Sequence, residues 1–178
     1  NFGMKSPLLG NACVVGMFFA SAILCAAETF RVAAYNVENY LDQPSGTRRA
    51  KSAEAKAKVR ESILALKPDV LALEEMGSTS ALLELRDSLK KDGLDFPFWE
   101  HITGFDTNIH VAVLSKFPFT ARHPHTNDNF LLSGRRFRVK RGFAEVDIKV
   151  NDNYFFTLIA AHLKSRLASP EAAESEER

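Results

Sequence analysis

The sequence predicts a mixed α/β fold with helices outside the sheets, because strand-like and helix-like periodicities alternate along the chain. Two amphipathic stretches with helical spacing flank a short continuous apolar run, which is typical of a strand buried on both faces. Two long strand candidates follow, and they are joined at Asn151-Asp152-Asn153, a natural hairpin turn. The predicted order is therefore β-α-β-α-β-β and then a hairpin.

The first helix illustrates how the periodicity assigns an element. Val59, Ile63 and Leu66 fall at i, i+4 and i+7 between charged residues and define one apolar face. Lys67-Pro68 ends this helix, since the residue before a proline disfavours the α conformation. The predicted elements are strands at 29–35, 69–73, 109–114, 137–150 and 154–161, with helices at 48–66 and from Ser78 or Ser80 to about 93.

The N-terminal segment has the features of a secretory signal peptide. Lys5 precedes an apolar stretch from 12 to 27 that ends in two small alanines. We expect residues 4–27 to be removed before Glu28, leaving a domain at 28–178 in a periplasmic or extracellular protein. Retention as a membrane anchor is the alternative, but a spanning helix needs about 20 apolar residues and this run is shorter.

The composition is that of a globular domain and excludes a largely disordered chain. The protein has 178 residues, of which 46% are hydrophobic and 25% charged, and this length favours one domain. Cys13 and Cys25 both lie in the predicted signal peptide, so the mature chain would have no disulfide, thiolate nucleophile or zinc–cysteine site. Loss of Lys5 leaves 22 basic and 22 acidic residues, a neutral chain without a strongly basic nucleic-acid footprint.

Three predicted strands end in polar residues that suit a phosphate or a metal. Asn36 follows the first strand, Glu74-Glu75 close the second, and His162 follows the last. Successive strand residues point to opposite faces, so only one of the two glutamates faces a given site. Carboxylates at a buried strand end favour a hard cation such as Mg²⁺, and a histidine can donate to a phosphate oxygen. The alternatives are an Asn bonded to its own turn, carboxylates paired with Lys or Arg, and a structural His.

Four segments, taken in order, resemble the motifs of the endonuclease/exonuclease/phosphatase superfamily. They are the opening strand with its Asn at 30–39 (FRVAAYNVEN), the second motif at 68–75 (PDVLALEE), the central strand at 111–118 (VAVLSKFP) and the His motif at 161–165 (AHLKS). The order and spacing agree from about residue 29 to 166. His110, just before the central strand, departs from the pattern and is kept out of the predicted site.

This resemblance implies a four-layer α-β-β-α sandwich and hydrolysis of a phosphoester bond by water, with Mg²⁺ or Mn²⁺ as the cofactor. It implies that Glu75 and Asn36 hold the metal, that Asn36 also positions the substrate, and that His162 steadies a phosphoryl oxygen. DNA, RNA, a phospholipid head group such as that of sphingomyelin, and an inositol phosphate all fit the scaffold as substrates. We expect no stable membrane anchor, and a monomer when the protein is complete.

The resemblance also implies two further segments, Gly-Asp-x-Asn and Ser-Asp-His, which supply a His–Asp pair that activates the attacking water. Neither segment follows His162 in the chain. We therefore expect the chain to be the N-terminal portion of the fold, incomplete at the C-terminus and inactive by itself. An exported binding module that keeps the scaffold without catalysis is the alternative function.

A basic run follows the central strand. Arg136, Arg138 and Lys140 share one face of a predicted strand, while Arg135 and Arg141 lie on the other. The first face suits a nucleic-acid backbone or anionic head groups. A solvated edge strand protected from association by its charges is the alternative.

Overall fold

Two sheets and a pair of helices account for most of the regular structure. The structure is a computed structural model that describes residues 29–163. Its elements are β1 (Val32–Tyr40), α1 (Ala53–Leu66), β2 (Val70–Met76), α2 (Thr79–Lys91), β3 (Phe98–Ile102), β4 (His110–Ser115), β5 (Phe119–His125), β6 (Asn129–Leu132), β7 (Arg135–Arg138), β8 (Phe143–Asn151) and β9 (Tyr154–Ala161). The signal peptide predicted at 4–27, with both cysteines, lies outside the described residues.

The first sheet has the strand order β1-β2-β4-β3, and both helices pack on one of its faces. β1 and β2 are parallel, whereas β4 is antiparallel to both of its neighbours. The helices bury Ile63, Leu82 and Leu85 against Leu71 and Leu73, which alternate along β2 on that face. The apolar run predicted as a buried strand is confirmed as the centre of this sheet.

The second sheet, β5-β8-β9, packs on the opposite face of the first. Val70 and Val113 of the first sheet share a hydrophobic cluster with Ala144, Val146 and Ile148 of β8. The described residues therefore form three layers (helices, sheet and sheet) in a mixed α/β fold. Residues 29–163 contain no helix outside the second sheet, so the four-layer sandwich stays a prediction. Within this part of the chain, neither helix has the length and apolar character needed to cross a membrane.

Serine caps set where both helices begin. Ser52 Oγ accepts a hydrogen bond from the amide of Ala55 at 3.2 Å, and Ser78 Oγ accepts one from the amide of Ala81 at 3.2 Å. The first helix therefore begins at Ala53, later than predicted. The second helix takes the first of the two serine caps that the sequence offered.

The C-terminal end of α1 explains why one predicted core residue is not buried. Val59 and Ile63 are buried as their spacing predicts, but Leu66 is 48% exposed. Lys67 caps the helix in a left-handed conformation with φ of 48°, so the chain turns away immediately after Leu66. The helical face is thus predicted correctly except in its last turn.

Three strands, β3, β5 and β6, lack a clean apolar alternation, and the sequence does not predict them. β5 contains Pro124, which an edge strand tolerates because one side of its backbone needs no partner. The strand predicted at 137–150 is interrupted by Gly142, whose φ is 67°. A Cβ at that position would lie 2.4 Å from the carbonyl oxygen of His125, so the backbones approach too closely for another residue.

Leu85→Ala is expected to destabilise the fold strongly, because the side chain is fully buried between the helices and the first sheet. Comparable truncations lower the free energy of unfolding by about 2–5 kcal/mol. The matched control is Leu66→Ala, where exposure predicts a change within about 0.5 kcal/mol. Urea unfolding of the full-length protein measures both variants, and equal losses would contradict this packing.

Candidate metal and phosphate site

Three polar side chains from both sheets meet at one end of the fold. Asn36 lies within β1, which continues to Tyr40 and does not end at residue 35 as predicted. Asn36 pairs with Glu74 of the parallel strand β2, so Glu75 is the next residue along, and His162 follows β9 of the second sheet. Asn36 Nδ2 donates a hydrogen bond to Glu75 Oε1 at 3.2 Å, and His162 Nε2 lies 3.6 Å from the same oxygen. The structure therefore brings together the three residues that the sequence predicts for a site.

A β-bulge turns the Glu75 carboxylate toward the second sheet. Leu71 and Leu73 face the helices, and strict alternation would send Glu75 to that same side. Instead, the register between β2 and β4 shifts after Leu73, and Glu75 adopts a left-handed backbone with φ of 58°. A non-glycine residue in this conformation costs on the order of 1–3 kcal/mol. The bulge therefore brings the Glu75 carboxylate to Asn36, while Glu74 also lies near enough to oppose the lowered pKa of His162.

β1 has a matching irregularity that supplies hydrogen-bond donors to the carboxylate. Its register shifts between Asn36 and Tyr40, where Glu38 and Asn39 have φ values of 49° and 53°. The amide of Asn39 donates to Glu75 Oε2 at 3.1 Å, and the amide of Glu38 donates to Asn36 Oδ1 at 2.9 Å. Both carboxylate oxygens are therefore held, and the side chain that reaches one of them is itself oriented by the backbone.

Gly77 lets the backbones of β1 and β2 approach each other just beyond this cluster. Its amide donates to the carbonyl oxygen of Tyr40 at 3.0 Å. A Cβ on Gly77 would lie 2.6 Å from that oxygen, so any other residue would push the two strand ends apart. The close approach therefore depends on glycine at this position.

Burial favours the neutral form of His162. Its side chain is 13% exposed, and burial lowers its pKa below the usual range. The charge of Arg141 lowers the pKa further, whereas Glu74 and Glu75 oppose that shift. Nδ1 of His162 is buried without a hydrogen-bond partner within residues 29–163. Nε2 is beyond hydrogen-bond distance of Glu75 Oε1, so this nitrogen remains available to donate to an anion beside the carboxylate.

Two arginines outside the predicted site, Arg48 and Arg141, border the cluster. Arg48 Nη1 donates to Asn39 Oδ1, and Arg141 Nη1 donates to the carbonyl oxygen of Leu163 at 3.3 Å. Arg141 Nε lies 3.6 Å from Asp106 Oδ2 and is buried without a hydrogen bond to the described residues. In the sequence, Arg141 is one member of a basic run, and only its contacts in the folded protein separate it from the others.

The oxygen donors at this cluster fit a hard divalent cation. Glu75 offers a carboxylate, and Asn36 Oδ1 retains a second lone pair beyond the one that accepts from the Glu38 amide. Mg²⁺ is usually held by one or two carboxylates, with water and substrate oxygens as its other ligands. Among residues 29–163, no group of three or more His, Cys, Asp or Glu side chains converges as a metal site. The residues present therefore suit Mg²⁺ or Mn²⁺ bound largely through water and substrate.

Two further histidines, His101 of β3 and His110 of β4, lie next to each other in the first sheet. His101 Nε2 is 2.8 Å from the carbonyl oxygen of Gly77 and Nδ1 is 3.4 Å from Thr79 Oγ1, and its ring centroid is 4.8 Å from that of His110. His110 is 6% exposed, and its Nδ1 has no hydrogen-bond partner in the described part of the chain. Burial lowers the pKa of His110 to about 4, an effect that His101 reinforces and Asp106 opposes. His110 is therefore uncharged at neutral pH.

The fold and the four sequence motifs agree with one class of α/β protein. The model of the Endonuclease/Exonuclease/phosphatase family matches residues 33–170, and the chain belongs to that family. The resemblance drawn from the motifs is thereby confirmed. A search of curated proteins finds no match to the chain.

Two solved structures are similar to the chain at low sequence identity. The beta hairpin deletion mutant of beta toxin from Staphylococcus aureus is 16% identical with a TM-score of 0.55, over 83% of this chain and 55% of that chain. The crystal structure of SmcL is 18% identical with a TM-score of 0.49, over 83% of this chain and 53% of that chain. The chain thus spans about half the length of these structures, and its likeness to beta toxin concerns the fold alone.

His110→Leu is expected to make the folded protein less sensitive to acid. Because burial depresses the pKa of His110 to about 4, the unfolded chain binds one more proton than the folded protein between about pH 6.5 and pH 4. The histidine therefore lowers the free energy of unfolding by about 1.4 kcal/mol for each pH unit lost in that window, and leucine removes this loss.

Urea unfolding of the full-length protein with EDTA, at neutral pH and at a pH inside that window, measures the difference. His101, whose pKa burial also lowers, keeps its own contribution, so the pH dependence of the variant is reduced rather than abolished. An unchanged pH dependence would show that His110 is not held neutral in the folded state.

Proposed function

We propose that the protein is a hydrolase of phosphoester bonds that depends on Mg²⁺ or Mn²⁺, with Glu75 as a metal ligand. Membership of the family supports the reaction class. The observation that carries the proposed site is the approach of Glu75 to Asn36 and His162 from two different sheets. This cluster joins a cation ligand to donors for anionic oxygens, the combination that phosphoryl transfer to water requires.

Glu75 and Asn36 form the cation side of the proposed site. The bound cation supplies Lewis acidity toward a phosphoryl oxygen. Glu75 would hold it through a carboxylate whose two oxygens are fixed by Asn36 Nδ2 and the amide of Asn39. Asn36 would offer its amide oxygen to the cation and would thereby help to position the substrate phosphate.

His162 and Arg141 form the anion side of the proposed site. His162 donates from Nε2 to a phosphoryl oxygen, since that nitrogen lies near Glu75 Oε1 without bonding to it. The depressed pKa of His162 matters here, because a charged imidazolium would pair with Glu75 and compete with the cation. Arg141 stabilises the negative charge that develops on the phosphoryl group in the transition state.

We infer that the groups that activate the attacking water lie in a part of the protein outside residues 33–170, which the family model matches. The chain spans 55% of the beta toxin structure. The family pattern implies a His–Asp pair from Gly-Asp-x-Asn and Ser-Asp-His segments, together with the elements that complete a four-layer sandwich. On this proposal the complete protein acts as an exported monomer, after removal of residues 4–27, on a nucleic acid, a phospholipid head group or an inositol phosphate.

Glu75→Gln in the complete protein is expected to lower hydrolysis of bis-p-nitrophenyl phosphate by orders of magnitude and to raise the Mg²⁺ concentration needed for half-saturation. Glutamine keeps the shape of the side chain but removes the charge that holds the cation. Glu61→Gln is the matched control, because it removes an exposed carboxylate of α1 that pairs with Lys58 away from the cluster. Wild-type activity of Glu75→Gln at limiting Mg²⁺ would exclude Glu75 from the site, and an inactive complete wild type would favour a binding module.

His162→Ala is expected to lower kcat about 10²–10³-fold without changing the Mg²⁺ concentration for half-saturation, as for loss of one donor to a developing oxyanion. His123→Ala, on the exposed face of β5, is the control and should retain the wild-type kcat. Steady-state kinetics at graded Mg²⁺ separate the two roles. A shift in the Mg²⁺ requirement as large as that of Glu75→Gln would make His162 part of the metal site instead.

A further inference from the structure

The β6–β7 ribbon carries an exposed face that the proposed site does not use. Its cross-strand register pairs Leu131 with Arg136 and Asn129 with Arg138, so these side chains share one face. Leu131 is 67% exposed, and both arginines are exposed. Phe105, from the loop before β4, is 62% exposed and lies under Arg138, whose guanidinium carbon is 5.5 Å from the ring centroid. Leu131, Arg136, Arg138 and Phe105 together are called the Leu131 face.

On the opposite face of the ribbon, the side chains pack against one another. Phe130 and Phe137 stack across the two strands with their ring centroids 5.6 Å apart. Arg135 lies over the Phe137 ring at 5.7 Å from its centroid. This packing stiffens the ribbon.

Contacts at the base of the ribbon fix its direction. His125, at the end of β5, lies between two carboxylates, with Nδ1 2.8 Å from Asp128 and Nε2 2.7 Å from Glu145. The amide of Asp106 donates to the carbonyl oxygen of Lys140 at 2.6 Å, which ties the loop that carries Phe105 to the segment just after β7. The Leu131 face is therefore preorganised, and binding through it requires little ordering.

We propose that the Leu131 face docks the protein on an anionic phospholipid surface. Leu131 and Phe105 enter the apolar boundary below the head groups, while Arg136 and Arg138 meet the phosphates above them. The residues from 129 to 142 include no Asp or Glu, so no carboxylate of the ribbon itself repels an anionic surface. Apolar contact and basic charge together are the two signals that stable, reversible attachment to a membrane requires.

The chemistry of this face favours a lipid surface over a nucleic acid. A nucleic-acid surface that relies on phosphate contacts commonly uses about 6–10 of them, and the Leu131 face offers two arginines. Exposed aliphatic side chains contribute little to contact with a phosphate backbone, whereas they gain free energy on leaving water at a lipid boundary. Leu131 is the most exposed aliphatic side chain of the ribbon, and its exposure therefore favours a lipid surface over a nucleic acid as the partner.

The Leu131 face adjoins the segment 139–142, which connects β7 to β8 and carries Arg141 to the candidate site. Arg141 lies three residues beyond Arg138, and its Nη1 donates to the carbonyl oxygen of Leu163, the residue after His162. Docking would hold that end of the fold beside the head groups. Binding itself needs no hydrolysis, so the docking proposal stands or falls separately from the proposed function.

Co-sedimentation of the full-length protein with phosphatidylcholine vesicles, with and without phosphatidylserine, tests the docking surface. Binding should require phosphatidylserine, and Arg136→Gln should weaken it about fivefold, the contribution of one basic residue near an anionic surface. Leu131→Ser should weaken binding at least about fivefold through loss of apolar burial. Matched controls on the helices, Lys91→Gln and Leu66→Ser, remove an exposed charge and an exposed leucine elsewhere and should bind as the wild type does.

The outcomes distinguish docking from its rivals. Glu75→Gln should bind vesicles normally even when it abolishes hydrolysis, because the Leu131 face does not include the cluster. Equal vesicle binding by the ribbon variants and the helix controls would overturn the proposal. So would failure of the wild type to bind phosphatidylserine vesicles while it binds a short DNA duplex through Arg136 and Arg138.

Discussion

The Glu75 carboxylate accepts hydrogen bonds from Asn36 Nδ2 and from the amide of Asn39, and these two bonds join the ends of the parallel strands β1 and β2. Both strand ends are irregular, with left-handed backbone at Glu38, Asn39 and Glu75. Hydrogen bonds to an ionised carboxylate are roughly twice as strong as those between neutral groups, so they offset part of the strain that the left-handed backbone imposes. The geometry of the candidate site therefore depends on the same side chain that we propose as the metal ligand.

The stacking of the two sheets brings His162 to that carboxylate. The valines of β2 and β4 pack against the alternating apolar residues of β8, and this apolar interface sets the spacing between strand ends that belong to different sheets. The histidine that follows β9 thereby comes within 3.6 Å of Glu75 while only 13% of its side chain stays exposed. Burial lowers its pKa, so the cluster keeps a neutral imidazole beside a carboxylate instead of a closed ion pair. Apolar packing at a distance from the cluster thus controls its electrostatics.

The basic run from 135 to 141 divides between two surfaces. Arg136 and Arg138 alternate outward along β7, as the spacing predicts, and lie beside Leu131 and Phe105. Arg141 turns inward instead, because the chain leaves the ribbon before Gly142 and crosses the loop that contains Asp106. Residues that are consecutive basic positions in the sequence therefore lie on two different surfaces. Arg136 and Arg138 belong to the exposed Leu131 face, and Arg141 borders the candidate site.

The sequence by itself determined both helices, the buried strand β2, the β8–β9 hairpin and the family, because each depends on periodicity, turn residues or motif order within a short stretch. It also identified Asn36, Glu75 and His162 as the residues that would meet, although their catalytic and metal-binding roles remain proposals. Only the tertiary structure showed how Glu75 reaches Asn36, since a bulge overrides the alternation that a regular strand imposes. It alone placed Arg48 and Arg141 at the cluster and revealed β3, β5 and β6, because long-range contacts fix these features and leave no local pattern in the chain.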